Sequence, residues 1–287
     1  ADFNVAVGRS ALGADTLGSK ATALGYGTLQ TQNFTTATDS FNTAVGYNAG
    51  ASVTTGTNNV LIGGQTGDAL TESSNNVAVG NTALGADTLG GRSVAVGASA
   101  LETQNFATST SAYNIGVGFT AGQSITTGIQ NTIIGGLAGD ALTDADYNVA
   151  LGTSALGADT LGSRNTALGR SALSSQNFTT ATDSYNTAVG FNAGTAVTTG
   201  TFNTLMGGQT GDALTDADYN VAIGTQSLTD DTKGSRSVAV GHGTLNAQNF
   251  TTATDSFNTA VGHAAGLLVS TATHNTLIGG QAGDALT

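Results

Sequence analysis

Three residue types are missing from this 287-residue chain, which has no proline, no cysteine and no tryptophan. The lack of cysteine excludes disulfide bonds and thiolate chemistry, and only three histidines are present, so no residue set for a zinc site exists. No apolar run reaches the roughly 18 residues that a transmembrane helix needs. The sequence therefore predicts no metal, no cofactor and no membrane insertion by this segment.

Charge is also scarce, since Asp, Glu, Lys and Arg together make up 9 % of the chain. The 7 basic side chains are outnumbered by 19 acidic ones, which gives a net charge of −12. A basic patch that could neutralise phosphates is missing, so we expect no nucleic-acid partner. The hydrophobic fraction of 39 % is too high for a disordered chain, and the sequence predicts a folded protein.

Glycine is abundant, with 42 residues, and it marks an internal repeat. The segment "GGQTGDALT" at 63–71 returns in close copies at 135–143, 207–215 and 279–287, and this constant spacing shows no insertion or deletion. The chain is therefore predicted to be one domain made of four repeats. Their boundaries are 1–71, 72–143, 144–215 and 216–287.

Each repeat contains four shorter units, and each unit has an aliphatic run that ends in a glycine, here called the closing glycine. In the first repeat these are Gly8, Gly25, Gly46 and Gly63, and the step from Gly25 to Gly46 is longer than the others. Counted back from the closing glycine, position −1 is aliphatic, position −2 is mostly Ala and position −3 is β-branched. Position −4 is Asn in thirteen of the sixteen units. The three exceptions are Ala21, Ser93 and Ser237.

This pattern predicts a short strand in every unit, because β-branched residues favour strands and the flanking Asn and Gly favour turns. Helices are excluded because glycine recurs too often for helix interiors. If each unit is one coil, successive strands stack in parallel about 4.8 Å apart. Equivalent residues then lie above one another, so that Asn side chains form ladders and aliphatic side chains form a continuous core. The predicted fold class is all-β, a parallel β-solenoid.

The predicted strands have two apolar faces, since positions −1 and −3 point to one side and position −2 to the other. A narrow coil has one interior, so the second apolar face needs a partner. We expect the alanines at −2 to point outwards and to be covered by sister chains in a symmetric oligomer. The alternative is that alanine at −2 is tolerated on a solvent-exposed face.

The phrase N-[VT]-A-[VIL]-G-x-x-[AST], as in "NVAVGRSA", "NTAVGYNA", "NVALGTSA" and "NVAIGTQS", resembles the head repeat of YadA-like trimeric autotransporter adhesins. It is also similar to repeats of some phage tail fibres. The resemblance covers essentially the whole chain. It implies a left-handed β-roll in a homotrimer, located outside the cell on a bacterial surface or on a virion. The coils of that family are typically shorter than the units of this chain, so the return half of each coil is expanded here.

The longest unit of each repeat, here called the wide coil, carries an extended loop with two aromatic residues. One interpretation makes this loop a ligand-binding ridge for a host glycan or a matrix protein. The other makes the first aromatic residue a plug for the wider coil, and the second one a packing residue at the strand entrance. The first set, the wide-coil phenylalanines, is Phe34, Phe106, Phe178 and Phe250. The second set, the entrance aromatics, is Phe41, Tyr113, Tyr185 and Phe257.

Other polar residues give weaker signals. "GGQTGDALT" approaches a calcium-binding nonapeptide but returns only once in each repeat, so adjacent coils cannot share a calcium ion. Its aspartates are predicted to lie in solvated turns and to cap backbone amides, as are a second recurring set. The two sets are Asp68, Asp140, Asp212 and Asp284, and Asp15, Asp87, Asp159 and Asp231. The histidines, predicted to be exposed, are His242, His263 and His274.

The sequence thus predicts a structural or adhesive surface fibre, a rigid trimeric rod that carries or presents a receptor-binding surface. Neither terminus shows a capping sequence, so we expect a segment of a longer fibre. A shaft or filament without binding of its own is the alternative. An ice-binding solenoid is less favoured, because position −3 alternates between Thr and Val or Ile. No catalytic residues are predicted, since the chain lacks clustered titratable groups for acid–base work.

Overall fold

The computed structural model describes all residues, 1–287, and it contains strands and turns but no helix. It confirms the predicted parallel β-solenoid. Two compact units are present, Ala1–Asp146 and Tyr147–Thr287.

In the first unit, eight three-residue strands form a parallel sheet in chain order, and four two-residue strands lie in the connections. The three-residue strands are β1 Val5–Val7, β3 Thr22–Leu24, β5 Thr43–Val45, β6 Val60–Ile62, β7 Val77–Val79, β9 Val94–Val96, β11 Ile115–Val117 and β12 Thr132–Ile134. The two-residue strands are β2 Gly18–Ser19, β4 Thr38–Asp39, β8 Gly90–Gly91 and β10 Thr110–Ser111.

The second unit has the same composition. Its three-residue strands are β13 Val149–Leu151, β15 Thr166–Leu168, β17 Thr187–Val189, β18 Thr204–Met206, β19 Val221–Ile223, β21 Val238–Val240, β23 Thr259–Val261 and β24 Thr276–Ile278. Its two-residue strands are β14 Gly162–Ser163, β16 Thr182–Asp183, β20 Gly234–Ser235 and β22 Thr254–Asp255.

The register keeps equivalent coil positions side by side. In the first unit Ala23 pairs with Ala44, and in the second unit Ala167 pairs with Ala188. The wide coil does not disturb this register, because its extra residues lie mainly in the loop that precedes its short strand, β4 in the first repeat. That strand pairs in parallel with the preceding coil, as in Gly18 with Thr38, and so builds a two-stranded mini-sheet in every repeat.

The core lies inside the coils and is built from position −2 together with residues of the return segment, which is the part of each coil that follows the closing glycine. Ala44 and Leu61, both at −2, are completely buried. Where the return segment has glycine four residues after the closing glycine, a larger side chain fills the space. A Cβ on Gly50 would lie 2.7 Å from Leu61 Cδ1. Small and large residues therefore alternate to fill a narrow interior at constant volume.

The closing glycine is required by the stacking of the coils. Gly46 has φ +130°, and a Cβ there would lie 2.3 Å from the carbonyl oxygen of Gly63 in the next coil. In the second unit Gly190, with φ +142°, would meet the carbonyl of Gly207 at 2.4 Å. No side chain can therefore occupy this column.

The predicted asparagine ladder is present at position −4. Asn42 Oδ1 accepts a hydrogen bond from the backbone N–H of Asn59 at 2.9 Å, and Asn59 Oδ1 accepts one from the N–H of Asn76 at 3.0 Å. The Asn42 side-chain amide also donates to the carbonyl of Gly56 at 2.7 Å. Each buried Asn thus satisfies backbone groups that the coil geometry leaves without a sheet partner.

Candidate functional site

The first candidate surface is, in each unit, the outward side of the sheet of three-residue strands, which is formed by positions −1 and −3 and is called here the outer face. No residue at these positions is charged in any coil. Many are large and strongly exposed, including Val7 at 55 % and Leu24 at 45 % in the first unit, and Leu151 at 43 % and Met206 at 41 % in the second. Contiguous apolar surface of this kind marks an interaction site.

The expectation that the alanines at −2 point outwards is wrong. Position −2 is buried inside the solenoid in every coil except the first and the last. The physical reason is the position of the return segment, whose large buried residues, such as Leu29 and Leu70, share the interior with position −2, where both Ala44 and the larger Leu61 fit. Of the two apolar faces, the one without a partner in the chain is therefore formed by positions −1 and −3.

A column at position −5 borders the outer face, and it consists of cationic and aromatic residues except for Asn58, Asn75 and Gln130. All sixteen residues of this column have left-handed backbone conformations, as in Lys20 with φ +61° and Tyr185 with φ +52°. In the second unit the column is a continuous stack, whose contacts are cation–π or ring–ring and span 4.7 to 6.0 Å. Its members are Tyr147, Arg164, Tyr185, Phe202, Tyr219, Arg236, Phe257 and His274.

This stack is poorly suited to bind sugars through ring faces. The ring of Phe202 lies 5.4 Å from that of Tyr185 and 5.0 Å from that of Tyr219, and it is nearly parallel to both. Both faces of Phe202 are therefore covered by its neighbours. The column stabilises the coil edges more readily than it offers stacking platforms.

The structure separates the two aromatic sets of the wide coil. The wide-coil phenylalanines are only 5–6 % exposed, so they fill the coil and leave little surface for a ligand. The entrance aromatics are 47–50 % exposed and belong to the column at −5. The two sets therefore do not form one ridge.

A buried polar network lies beneath each wide coil. Asp159 Oδ2 accepts a hydrogen bond from Gln176 Nε2 at 2.5 Å, and its Oδ1 accepts from the N–H of Gly162 at 3.0 Å and of Phe178 at 3.3 Å. Gln176 Oε1 in turn accepts from Asn186 Nδ2 at 2.8 Å. The same Asp–Gln–Asn chain occurs in the other repeats, at Asp15, Asp87 and Asp231.

The aspartates of this network bear on the earlier predictions. They cap backbone amides as expected, but Asp87, Asp159 and Asp231 are completely buried rather than solvated. Burial raises the pKa of Asp159 above its usual value, and the hydrogen bonds from Gln176, Phe178 and Gly162 offset this only in part.

The sequence contained a signal for this network that composition alone hides. The residue seven positions after the closing glycine is Asp in the first coil of every repeat and Gln in the second coil. In the third and fourth coils it is aliphatic. A polar pair in an otherwise apolar interior column indicates a buried hydrogen-bonded pair.

The remaining candidates are surface residues. The "GDALT" aspartates are half-buried rather than fully solvated, and burial raises the pKa of Asp68, Asp140 and Asp212. Asp212 Oδ1 is buried without a hydrogen bond. All three histidines are exposed, which confirms that prediction. His242 and His263 stack on each other at 5.4 Å. No group of three or more His, Asp or Glu side chains is arranged to hold a metal ion.

Comparisons with protein-family models, with curated proteins and with solved structures gave no match. The resemblance to YadA-like repeats therefore stays a prediction. No helix of sufficient length and apolarity to cross a bilayer is present.

Proposed function

We propose that this chain is a segment of an extracellular fibre, on a bacterial surface or a virion, that assembles as a homotrimer and serves attachment to a cell or a matrix. The observation that carries the proposal is the outer face. It is free of charge, it carries a large apolar side chain at every −1 position and Thr, Val or Ile at −3, and this pattern is repeated along the strands of each unit.

A second copy of the same chain is the occupant that best fits this face. An apolar sheet face is stabilised by burial against another apolar surface, at about 25 cal/mol per Å² of apolar area. A sister chain offers that surface with the same spacing between strands, because its strands follow the same register. The resemblance to trimeric adhesin heads supports three copies rather than two.

The adhesive role is proposed for the loops of the wide coils, because they add an exposed segment once in every repeat. Their tips, such as Thr35 to Ala37, are exposed, while the neighbouring Phe34 anchors the loop from inside. A fibre shaft with no binding of its own has the same fold and assembly. It differs in that the intact chain would not bind host glycans or matrix proteins.

Light scattering on the purified chain tests the assembly. We expect a mass of three times 28.1 kDa. Replacing Val189 and Met206 on adjacent strands of the outer face by lysine should yield monomers, because buried unpaired charges oppose association. The matched control places two lysines at the exposed loop positions Thr179 and Thr180 and should leave the mass unchanged. A wild-type monomer at micromolar concentration would contradict the proposal.

A further inference from the structure

A small groove lies beside the mini-sheet β8–β10 of the second repeat. Its volume is about 150 Å³, and its lining is mainly hydroxyl and amide groups around one guanidinium. The residues that matter below are Ser73, Ser74, Asn75, Arg92, Ser109 and Ser111. By volume the groove has room for about five water molecules or one small polar ligand.

The second repeat departs from the other three at this groove in a coordinated way. Ser73 and Ser109 stand where the other repeats have alanine, and Ser74 and Ser111 stand where they have aspartate. Asn75 replaces an aromatic residue. Together these differences add hydroxyl groups, remove two carboxylates and open space around the cation.

The cation of the groove is the only one of its column without a carboxylate partner. Its equivalents are paired at 2.7 to 3.0 Å, as Lys20 with Asp39, Arg164 with Asp183 and Arg236 with Asp255. Arg92 lies opposite Ser111 instead, and its Nη1 donates to the hydroxyl of Tyr113 at 2.7 Å. Because a guanidinium has five N–H donors, this contact orients Arg92 and leaves donors for an anion.

Ser73 does not offer its hydroxyl to a ligand in the open groove. It is only 5 % exposed, and its Oγ is buried and makes no hydrogen bond. Ser109 and Ser111, by contrast, are exposed. These two serines, together with Arg92 and Asn75, therefore supply the accessible donors of the groove.

We propose that this groove binds a sugar residue that carries a carboxylate, such as a uronic acid. Arg92 holds the carboxylate through charge-assisted hydrogen bonds, and the hydroxyls of Ser109 and Ser111 and the amide of Asn75 bind the sugar hydroxyls. Glu72, also in the lining, accepts a hydrogen bond from a sugar hydroxyl. A simple inorganic anion fits less well, because it has no hydroxyl groups that could donate to Glu72 or to the amide oxygen of Asn75.

This inference deepens the adhesive part of the proposed function and rests on it for its biological meaning. The binding itself does not require a particular oligomeric state. Each protein in the experiment below is therefore also examined by light scattering, so that loss of assembly and loss of the ligand are told apart.

Calorimetric titration with sodium glucuronate tests the proposal, with glucose and sodium sulfate as comparison probes. We expect the wild-type chain to bind glucuronate more tightly than either. Arg92→Ala should weaken binding by about tenfold or more, since a hydrogen bond to a charged group is lost. Ser111→Asp should do the same, because it creates the ion pair found in the other repeats and is compatible with the fold there. The matched control Arg164→Ala should bind as the wild type does.

Three results would overturn the proposal. They are no binding of glucuronate by a correctly assembled chain, equal binding of sulfate and glucuronate, and unchanged binding in Ser111→Asp. The last of these is informative even if Arg92→Ala fails to fold.

Discussion

At the scale of single residues, the closing glycine is the strictest requirement of the sequence. Gly46→Ala would place a Cβ 2.3 Å from a backbone oxygen of the next coil, at a φ of +130° that side chains rarely adopt. We expect the free energy of unfolding to fall by about 2–4 kcal/mol. Urea unfolding followed by circular dichroism measures this change.

Gly136→Ala is the matched control in the same unit, because no atom lies within 4 Å of a Cβ at that position. Its free energy of unfolding should stay within about 0.5 kcal/mol of the wild type. Equal losses in the two variants would show that backbone propensity, and not contact between coils, explains the glycine column.

The buried aspartates should make stability depend on pH. The pKa of Asp159 in the folded chain lies above the 3.8 of the unfolded chain, because burial disfavours its charge. The folded state therefore binds more protons as the pH falls through the folded pKa, and the free energy of unfolding rises until the gain is complete below 3.8.

Asp159→Asn has no carboxylate to titrate at this position. A comparison with the wild type therefore separates the effect of Asp159 from that of the other carboxylates. The difference in unfolding free energy between wild type and Asp159→Asn should shift in favour of the wild type from neutral pH towards pH 3.8. A difference that does not change with pH would contradict the assigned direction.

At the scale of the coil, the asparagine ladder joins neighbouring strands through side chains. Asn42→Ala removes its bonds with Gln32, Gly56 and Asn59 and leaves their buried groups without partners. We expect a loss of about 2–4 kcal/mol in the free energy of unfolding, measured by thermal or urea unfolding. Asn81→Ala, at an exposed position with one hydrogen bond, should cost less than about 1 kcal/mol.

The coil itself could be predicted from the sequence because its constraints are local and repeated. The closing glycine, the β-branched residue at −3 and the asparagine at −4 each return in register, so strand position, parallel pairing and the ladder followed from periodicity. The strands and their pairing were confirmed. Burial of Phe34 was one of two interpretations that the sequence left open, and the structure agrees with the plug.

The direction of the side chains could not be predicted in the same way. Alternation separates −2 from −1 and −3, but it does not state which side is the interior. That choice depends on which side of the strand the return segment covers, and the interior that it closes holds Leu61 as well as Ala44 at −2. The burial of Asp159 was missed for a related reason, since its partners Gln176 and Phe178 lie one coil away and are joined to it only by the fold.

At the scale of the whole molecule, the interior of each unit has its polar groups hydrogen-bonded, whereas the outer face has no packing partner within the chain. Inside, the polar groups are paired almost without exception, and the apolar side chains are closely packed. Outside, the uncharged columns at −1 and −3 are left open to solvent in a single chain. Burial of these columns between copies is therefore the central claim of the account.

Cysteine labelling tests this claim most directly, because the natural chain has no cysteine to interfere. Three single variants are compared for their rate of reaction with a maleimide: Ala188→Cys inside the coil, Val189→Cys on the outer face and Thr180→Cys at a loop tip. The account predicts slow labelling of Val189→Cys at high protein concentration and fast labelling after dilution, with Ala188→Cys always slow and Thr180→Cys always fast. Labelling of Val189→Cys as fast as that of Thr180→Cys at every concentration would contradict it.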